Sequence, residues 1–157
     1  MDRLNDHQWG GSGIEKVTFE WMLQNIPKGS TVIELGSGHC STKALSLFYD
    51  LYSIEHNPEF ANIYPNVKYL VADNASGWYE REDVKAFLPP KRKQRMVFID
   101  GTHRPGILKN LDLFNKNAKF VIHDTYREDE IKLAHDLGKL LKREPKFYDN
   151  GDYFAVI

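Results

Sequence analysis

The sequence is poor in several features that define common classes of protein. It has a single cysteine, Cys40, among 157 residues, so no disulfide can form within the chain. No stretch reaches the roughly 18 consecutive apolar residues of a membrane-spanning helix, and the polar N-terminus lacks the apolar core of a signal peptide. The formal net charge of −1 gives no overall attraction to nucleic acid. These absences predict a globular, cytoplasmic protein with neither a membrane nor a nucleic-acid partner.

Short apolar runs rich in β-branched residues alternate with segments of helical pattern. The runs predict five strands, at residues 30–36, 50–56, 66–73, 95–101 and 118–124. The helical patterns lie before, between and after them, at residues 13–26, 41–49, 80–88, 105–116 and 128–143. Continuous apolar strands that alternate with helices predict an α/β fold, with a parallel sheet covered by helices on both faces.

Residues 145–157 break this alternation with two β-rich runs on either side of an Asn-Gly pair. Asn-Gly is the strongest short hairpin signal, because both turn residues must accept a positive φ. We therefore predict a mostly parallel, seven-stranded sheet that finishes in an antiparallel hairpin. The whole chain, residues 1–157, forms one domain, in which residues 1–13 are either a flexible segment or a lid over a ligand.

The stretch VIELGSGHCST, residues 32–42, combines a predicted strand with two glycines. Gly36 and Gly38 follow the first strand, and ligands of open α/β sheets bind beyond the carboxyl ends of the strands. Glycines in such a turn let the backbone approach a ligand. A dinucleotide fingerprint requires a further glycine at position 41, where this chain has Ser41. The loop thus predicts a nucleotide-like ligand of another kind.

Acidic residues end the first three predicted strands. Glu34 precedes the glycines, Glu55 follows Gly36 by 19 positions, and Asp73 ends the third strand. A carboxylate at the position of Glu55 can accept hydrogen bonds from both ribose hydroxyls. A pyrophosphate would be repelled by Glu34, whereas a sulfonium or aminoacyl ligand would be attracted. The ligand is therefore expected to carry positive charge and no phosphate.

VIELGSG, LYSIEHN, YLVADN and the terminal hairpin together resemble the class I S-adenosylmethionine-dependent methyltransferases, over roughly residues 13–157. The resemblance implies a Rossmann-like, doubly wound fold with S-adenosyl-L-methionine as cofactor. The cofactor site that it implies comprises Glu34, Gly36 and Gly38 for the methionine part, Glu55 for the ribose, Asp73 and Asn74 for the adenine, and His56 and Asp100 beside them.

A second group of polar residues follows the fourth and fifth predicted strands. FIDGTH supplies Asp100 and His103, and FVIHD supplies His123 and Asp124. The carboxyl ends of neighbouring parallel strands adjoin, so these side chains are expected to converge. Methyl transfer to a hydroxyl requires loss of its proton, which a histidine base accelerates by about 10²–10⁴-fold. We therefore predict His103, His123 and Asp124 as catalytic residues.

This region resembles a subgroup of small-molecule and sugar O-methyltransferases, some of which bind magnesium through carboxylates at these strand ends. Asp100 and Asp124 match two such positions, and they are the predicted metal ligands. His123 replaces an acid, and magnesium prefers oxygen ligands. Three alternatives therefore stay open: a magnesium or transition-metal site, a metal-free histidine base, or a structural role for Asp100 and His123.

The sequence as a whole predicts a methyltransferase that acts on a small-molecule or sugar acceptor, most readily at a hydroxyl. With little chain left to recognise a macromolecule, the acceptor is expected in a shallow site or at the interface of a homodimer. Two alternatives from other classes are a nucleotide-binding oxidoreductase domain and a catalytically inactive module that binds S-adenosylmethionine. Methylation of nucleic acid is disfavoured, because the fourth strand is followed by IDGT and not by an NPPY-type tetrapeptide.

Overall fold

One seven-stranded sheet runs through the computed structural model, which describes Trp9 and residues 14–101, 103–149 and 151–157. The strands are Thr31–Leu35 (β1), Asp50–Glu55 (β2), Lys68–Val71 (β3), Gln94–Ile99 (β4), Lys119–His123 (β5), Lys146–Tyr148 (β6) and Phe154–Val156 (β7). Their order across the sheet is β3-β2-β1-β4-β5-β7-β6. The first five strands are parallel, and β7 is antiparallel to β5 and β6. The predicted sheet and hairpin are confirmed.

Helices cover both faces of this sheet, as predicted. They are Lys16–Asn25 (α1), Ser41–Ser46 (α2), Arg81–Phe87 (α3) and Glu128–Leu141 (α4). α1 and α2 pack on one face, whereas α3 and α4 pack on the other. Within the described residues, no helix has the length and apolar character needed to cross a membrane.

The central strands divide their side chains between two apolar clusters. Along β4, Met96 and Phe98 face the cluster under α1 and α2, and Val97 and Ile99 face the one under α3 and α4. All four are almost completely buried. Successive residues of a strand point to opposite faces, so a strand covered on both sides must be apolar throughout. This requirement explains the continuous apolar runs in the sequence.

The helix predicted over residues 105–116 is wrong, because the chain forms two short 3-10 turns there, Arg104–Lys109 and Leu111–Leu113. His103, just before the first turn, has a left-handed φ of 56°. The Asn110 side chain donates to the carbonyl of Gly106 at 2.8 Å, a bond that competes with helical backbone pairing. Gly106 itself packs against Trp78 so closely that a Cβ would lie 2.8 Å from the ring.

The segment predicted to be flexible or to form a lid, residues 1–13, lies outside the described residues except for Trp9. The ring of Trp9 packs against Phe19 of α1, with 5.3 Å between the centroids. This indole therefore contacts the apolar cluster under α1.

Candidate functional site

A cavity of about 560 Å³ lies at the carboxyl ends of β1, β2, β4 and β5. Pockets for small molecules commonly have this size and this position in open α/β sheets. Its wall has two parts, which we call the glycine side and the ion-pair side. The glycine side consists of Gly36, Ser37, Gly38, Glu55, His56, Asn57 and Phe60. The ion-pair side consists of Asp100, Gly101, Arg104, His123, Asp124, Tyr126 and Arg127.

The structure brings most of the predicted site residues to this one cavity. Those that line it are Gly36, Gly38, Glu55, His56, Asp100, His123 and Asp124. Those that do not are Glu34, Asp73, Asn74 and His103. The two groups that the sequence suggested separately therefore share a single hollow.

Gly36 allows the loops after β1 and β4 to pack directly against each other. Its φ is +100°, and a Cβ at this position would lie 2.2 Å from Cα of Gly101. Only glycine fits, because a side chain would need both a rare conformation and space that another backbone occupies. The expected reason for this glycine was approach to a ligand, but the observed neighbour is the chain itself.

Glu34 supports the glycine loop from behind the cavity. Its side chain is fully buried, and Oε2 accepts hydrogen bonds from Thr42 at 2.8 Å and Ser53 at 2.5 Å. The Thr42 hydroxyl in turn accepts from the Gly38 N–H at 2.9 Å. Burial raises the pKa of Glu34 to about 7, and the hydroxyl hydrogen bonds offset only part of this effect. Direct contact of Glu34 with a ligand, as the resemblance implied, is at odds with this placement.

Glu55 joins the glycine loop to the end of β2. Its Oε2 accepts from the Ser37 N–H at 2.9 Å, and its Oε1 accepts from the N–H groups of His56 and Asn57, both at 2.8 Å. Each carboxylate oxygen can accept two hydrogen bonds, so Oε2 can also accept a ligand hydroxyl. Asp73 differs, because it is exposed and its Oδ1 accepts from the Ala75 N–H at 3.0 Å in a local turn.

Both ring nitrogens of His123 contact carboxylates. Nδ1 is 3.1 Å from Asp100 Oδ1, and Nε2 is 3.1 Å from Asp152 Oδ1. Burial by itself lowers the pKa of His123, but the hydrogen bonds and negative charges of Asp100 and Asp152 outweigh it and raise the pKa to about 10. The ring is therefore an imidazolium at neutral pH. This state is at odds with the predicted role of His123 as a general base.

Asp152 was not among the predicted site residues, because the sequence places it in the hairpin turn. In the fold it is 6% exposed, and it accepts a hydrogen bond from Thr18 of α1 as well as contacting His123. Its burial opposes ionisation, yet these two hydrogen bonds and the charge of His123 lower its pKa. Asp152 thus balances the charge of His123 on the side away from the cavity.

Arg104 was also missed, although it lies at the centre of the ion-pair side. It is 9% exposed, and its guanidinium pairs with Asp100 at 3.1 Å, Asp124 at 2.8 Å and Glu130 at 3.1 Å. Three acids that converge on one buried place require a cation nearby. The number of acids near the ends of β4 and β5 was the signal in the sequence that could have indicated this arginine.

His103 lies beside the cavity and not in its wall. It is exposed, and it lines an adjoining hollow of about 270 Å³ together with Pro105 and Asp129. Its left-handed backbone turns the chain at the start of the first 3-10 turn. The structure therefore places His103 in a hollow that shares Asp100 and Arg104 with the cavity, and its catalytic role stays a prediction.

No protein-family model and no curated protein matches the chain. Its fold is similar to that of solved structures that include S-adenosylmethionine-dependent methyltransferases. Over 97% of this chain and 95% of the other, it matches a precorrin 8w decarboxylase from Methanobacterium thermoautotrophicum at 10% identity and a TM-score of 0.62. A methyltransferase from Pyrococcus furiosus matches over 96% and 86%, at 16% identity and a TM-score of 0.56.

MycE, a methyltransferase of mycinamycin biosynthesis whose structure contains Mg and S-adenosylhomocysteine, has the same fold at 10% identity and a TM-score of 0.62. The match covers 94% of this chain and 49% of MycE, so the chain spans about half the length of that protein. At identities this low, the similarity establishes the fold alone, which is a Rossmann-like α/β sheet.

Proposed function

We propose that this protein is an S-adenosylmethionine-dependent methyltransferase that acts on a hydroxyl of a small-molecule or sugar acceptor. The observation that carries the proposal is the shared cavity, in which the glycine side and the ion-pair side face one hollow. A methyl donor held on the glycine side would lie next to an acceptor held on the ion-pair side. Solved structures of similar fold that are named as methyltransferases support the same activity.

The chemistry of the glycine side fits an adenosyl ligand without phosphate. Its lining residues include the Glu55 carboxylate and neither lysine nor arginine, and the Glu34 carboxyl lies just behind. Glu55 would hold the ribose through Oε2, and the loop at Gly36 and Gly38 would bound the methionine part. A dinucleotide would bring a pyrophosphate to a side that has the Glu55 carboxylate and neither lysine nor arginine among its lining residues, which argues against the oxidoreductase alternative.

When bound, S-adenosylmethionine supplies a methyl group on a positively charged sulfur. The chain then has to orient the acceptor, exclude water and receive one proton. Positioning supplies most of the rate in such a displacement, since well-oriented reactions reach effective molarities of about 10⁵–10⁸ M. Tyr126 and Arg127 line the ion-pair side of the cavity, where the acceptor would lie, and the rings of Tyr126 and Tyr153 meet edge to face at 5.7 Å.

Asp124 is the group that we assign to receive the proton of the acceptor. It lines the cavity, and its side chain is 18% exposed, compared with 13% for Asp100 and 7% for His123. Its φ of 61° is uncommon for a residue other than glycine, and such strain is concentrated at functional sites. His123 is already protonated, so it would hold Asp100 and Asp124 in place.

Calorimetric titration with S-adenosylhomocysteine tests the donor side. We expect the wild type to bind and Glu55→Ala to bind about 10–100-fold more weakly, because a hydrogen bond to a charged group is worth about 1.5–3 kcal/mol. Glu59→Ala, an exposed acid in the next turn, is the matched control. Unchanged binding by Glu55→Ala would remove the ribose assignment, and tighter binding of a dinucleotide would favour the oxidoreductase alternative.

Methyl transfer to a panel of small hydroxyl compounds tests the acceptor side. Asp124→Asn should lower kcat by about 10²–10⁴-fold and leave the affinity for S-adenosylhomocysteine within a small factor. Transfer by this variant at the wild-type rate would contradict the role of Asp124. Tight binding of the donor with no transfer to any acceptor would support the inactive module.

A further inference from the structure

Arg104 uses every N–H of its guanidinium within the ion-pair side. Nε donates to the Gly101 carbonyl at 3.0 Å, and Nη1 donates to the His123 carbonyl at 2.9 Å and to Glu130 Oε1 at 3.1 Å. Nη2 donates to Asp124 Oδ2 at 2.8 Å and to Asp100 Oδ1 at 3.1 Å. A guanidinium has five N–H donors in a fixed plane, so this arginine connects β4, β5 and α4 through one rigid group.

A divalent cation would have to bind among the acids that Arg104 contacts. Asp100, His123 and Asp124 offer ligand atoms within 4.8 Å of one another. A metal held by Asp100 and Asp124 at the usual distance of about 2.0–2.6 Å would have to share their carboxylates with Nη2 of Arg104, which already contacts one oxygen of each. It would also lie within a few ångströms of the guanidinium charge, in a site largely shielded from water, where like charges repel strongly.

His123 belongs to the same cluster and contacts three carboxylates. Its Nδ1 contacts Asp100 at 3.1 Å and Asp124 at 3.3 Å, and its Nε2 contacts Asp152 at 3.1 Å. The donor set does not fit a resident divalent ion while Arg104 keeps its position, because the guanidinium charge would lie beside the ion.

We propose that the Arg104 guanidinium is the fixed cation of this cluster, that it holds Asp100 and Asp124 in place as a metal ion would, and that the site consequently binds no divalent metal. Arg104 is a positioning residue, because its donors are all directed at the protein itself. Its removal would leave the partly buried carboxylates of Asp100, Asp124 and Glu130 without the positive charge that Arg104 supplies. A divalent cation could then supply that charge.

The test is a titration with Mn²⁺ alone, followed by electron paramagnetic resonance and thermal unfolding. It uses no methyl donor, so its outcome is independent of the proposed activity. Wild type should show no bound Mn²⁺ and no shift of Tm at millimolar concentrations. Arg104→Gln should have a lower Tm, should bind Mn²⁺ at least about tenfold more tightly than wild type, and should recover part of its Tm as the ion binds.

Arg127→Ala is the matched control, because Arg127 also contacts Asp124, at 3.3 Å, but its side chain is half exposed. It leaves Arg104 in place and should not gain Mn²⁺ binding. Binding of Mn²⁺ by wild type that Asp124→Asn abolishes would overturn the proposal, and so would a folded Arg104→Gln that binds no more Mn²⁺ than wild type. If Arg104→Gln does not fold, the wild-type titration decides alone.

Discussion

The two sides of the cavity are held in place by different forces. On the glycine side, Glu55 accepts hydrogen bonds from backbone N–H groups, Glu34 behind it accepts them from hydroxyls, and none of the lining residues on this side is arginine or lysine. On the ion-pair side, Arg104 and His123 neutralise the neighbouring acids directly. The first side thus keeps a negative potential for a positively charged ligand, whereas the second side has largely balanced its own charges.

The largest effect is expected where the two sides touch, at Gly36. Gly36→Ala places a methyl group 2.2 Å from Gly101 in a left-handed conformation, which should lower the free energy of unfolding by about 3 kcal/mol or more. Binding of S-adenosylhomocysteine should be lost with it. Urea unfolding followed by tryptophan fluorescence measures the first quantity, and calorimetry measures the second.

Gly29→Ala is the control for backbone strain alone, since Gly29 has a φ of +78° and a Cβ added there would have no atom within 4 Å. Gly29→Ala should lower the free energy of unfolding by about 1–2 kcal/mol. If Gly36→Ala lowers it by the same amount, the contact between the loops after β1 and β4 does not contribute to stability.

An effect of similar size is expected from the buried acid on the glycine side, and it depends on pH. The pKa of Glu34 is about 7 in the folded protein, against an ordinary value of 4.5, so between these values the folded state holds a proton that the unfolded state has lost. Stability therefore falls as pH rises through this window, by about 3 kcal/mol in total. Glu34→Gln removes this dependence.

Urea unfolding of wild type and Glu34→Gln between pH 4 and pH 8 measures the difference. The variant should gain stability relative to wild type by about 3 kcal/mol as the pH rises across this range. Parallel profiles would mean that Glu34 is ionised in the folded protein, and the negative potential of the glycine side would then be stronger than described above.

The smallest effect concerns the hydroxyl that connects Glu34 to the loop. Thr42→Val removes a donor to Glu34 and an acceptor for the Gly38 N–H, so it should lower the free energy of unfolding by about 1–2 kcal/mol. Thr31→Val is a matched control, because the Thr31 hydroxyl makes one longer hydrogen bond, of 3.3 Å, to Asp50. Its removal should lower the free energy of unfolding by about 0.5 kcal/mol. Equal costs would contradict the role of Thr42 in holding the loop.

The sheet could be predicted from the sequence because each strand is a local apolar run and the terminal hairpin has its own turn signal. The α4 helix, Glu128–Leu141, could likewise be predicted from its periodicity, within two residues at its end. The 3-10 turns after His103 were not predicted; there the Asn110 side chain donates to the Gly106 carbonyl, and Trp78 of another loop packs against Gly106. The local hydrophobic pattern predicts a helix or strand correctly where no other hydrogen bond or packing contact competes with that structure.

The site could be predicted less completely than the fold, for the same reason. That Glu55, Asp100, His123 and Asp124 lie around one cavity could be predicted because each lies at the end of a strand, and strand ends meet at one edge of the sheet. Arg104 and Asp152 lie in loops, and their roles depend on which acids and imidazole the fold brings to them. Whether an acid such as Glu34 faces a ligand or lies behind the wall is also a matter of packing, which strand order alone does not determine.

Because of the order of the last strands, Asp152 can contact His123 only when the last strand of the sheet has paired. β6 precedes β7 along the chain, yet β7 lies between β5 and β6, so β6 has no strand to pair with until β7 is in place. Asp152, two residues before β7, contacts His123, so this contact requires that β7 is in place beside β5. During synthesis on the ribosome, a nascent chain that stops short of this hairpin has both an unfinished sheet edge and an imidazole that lacks one of its three carboxylate partners.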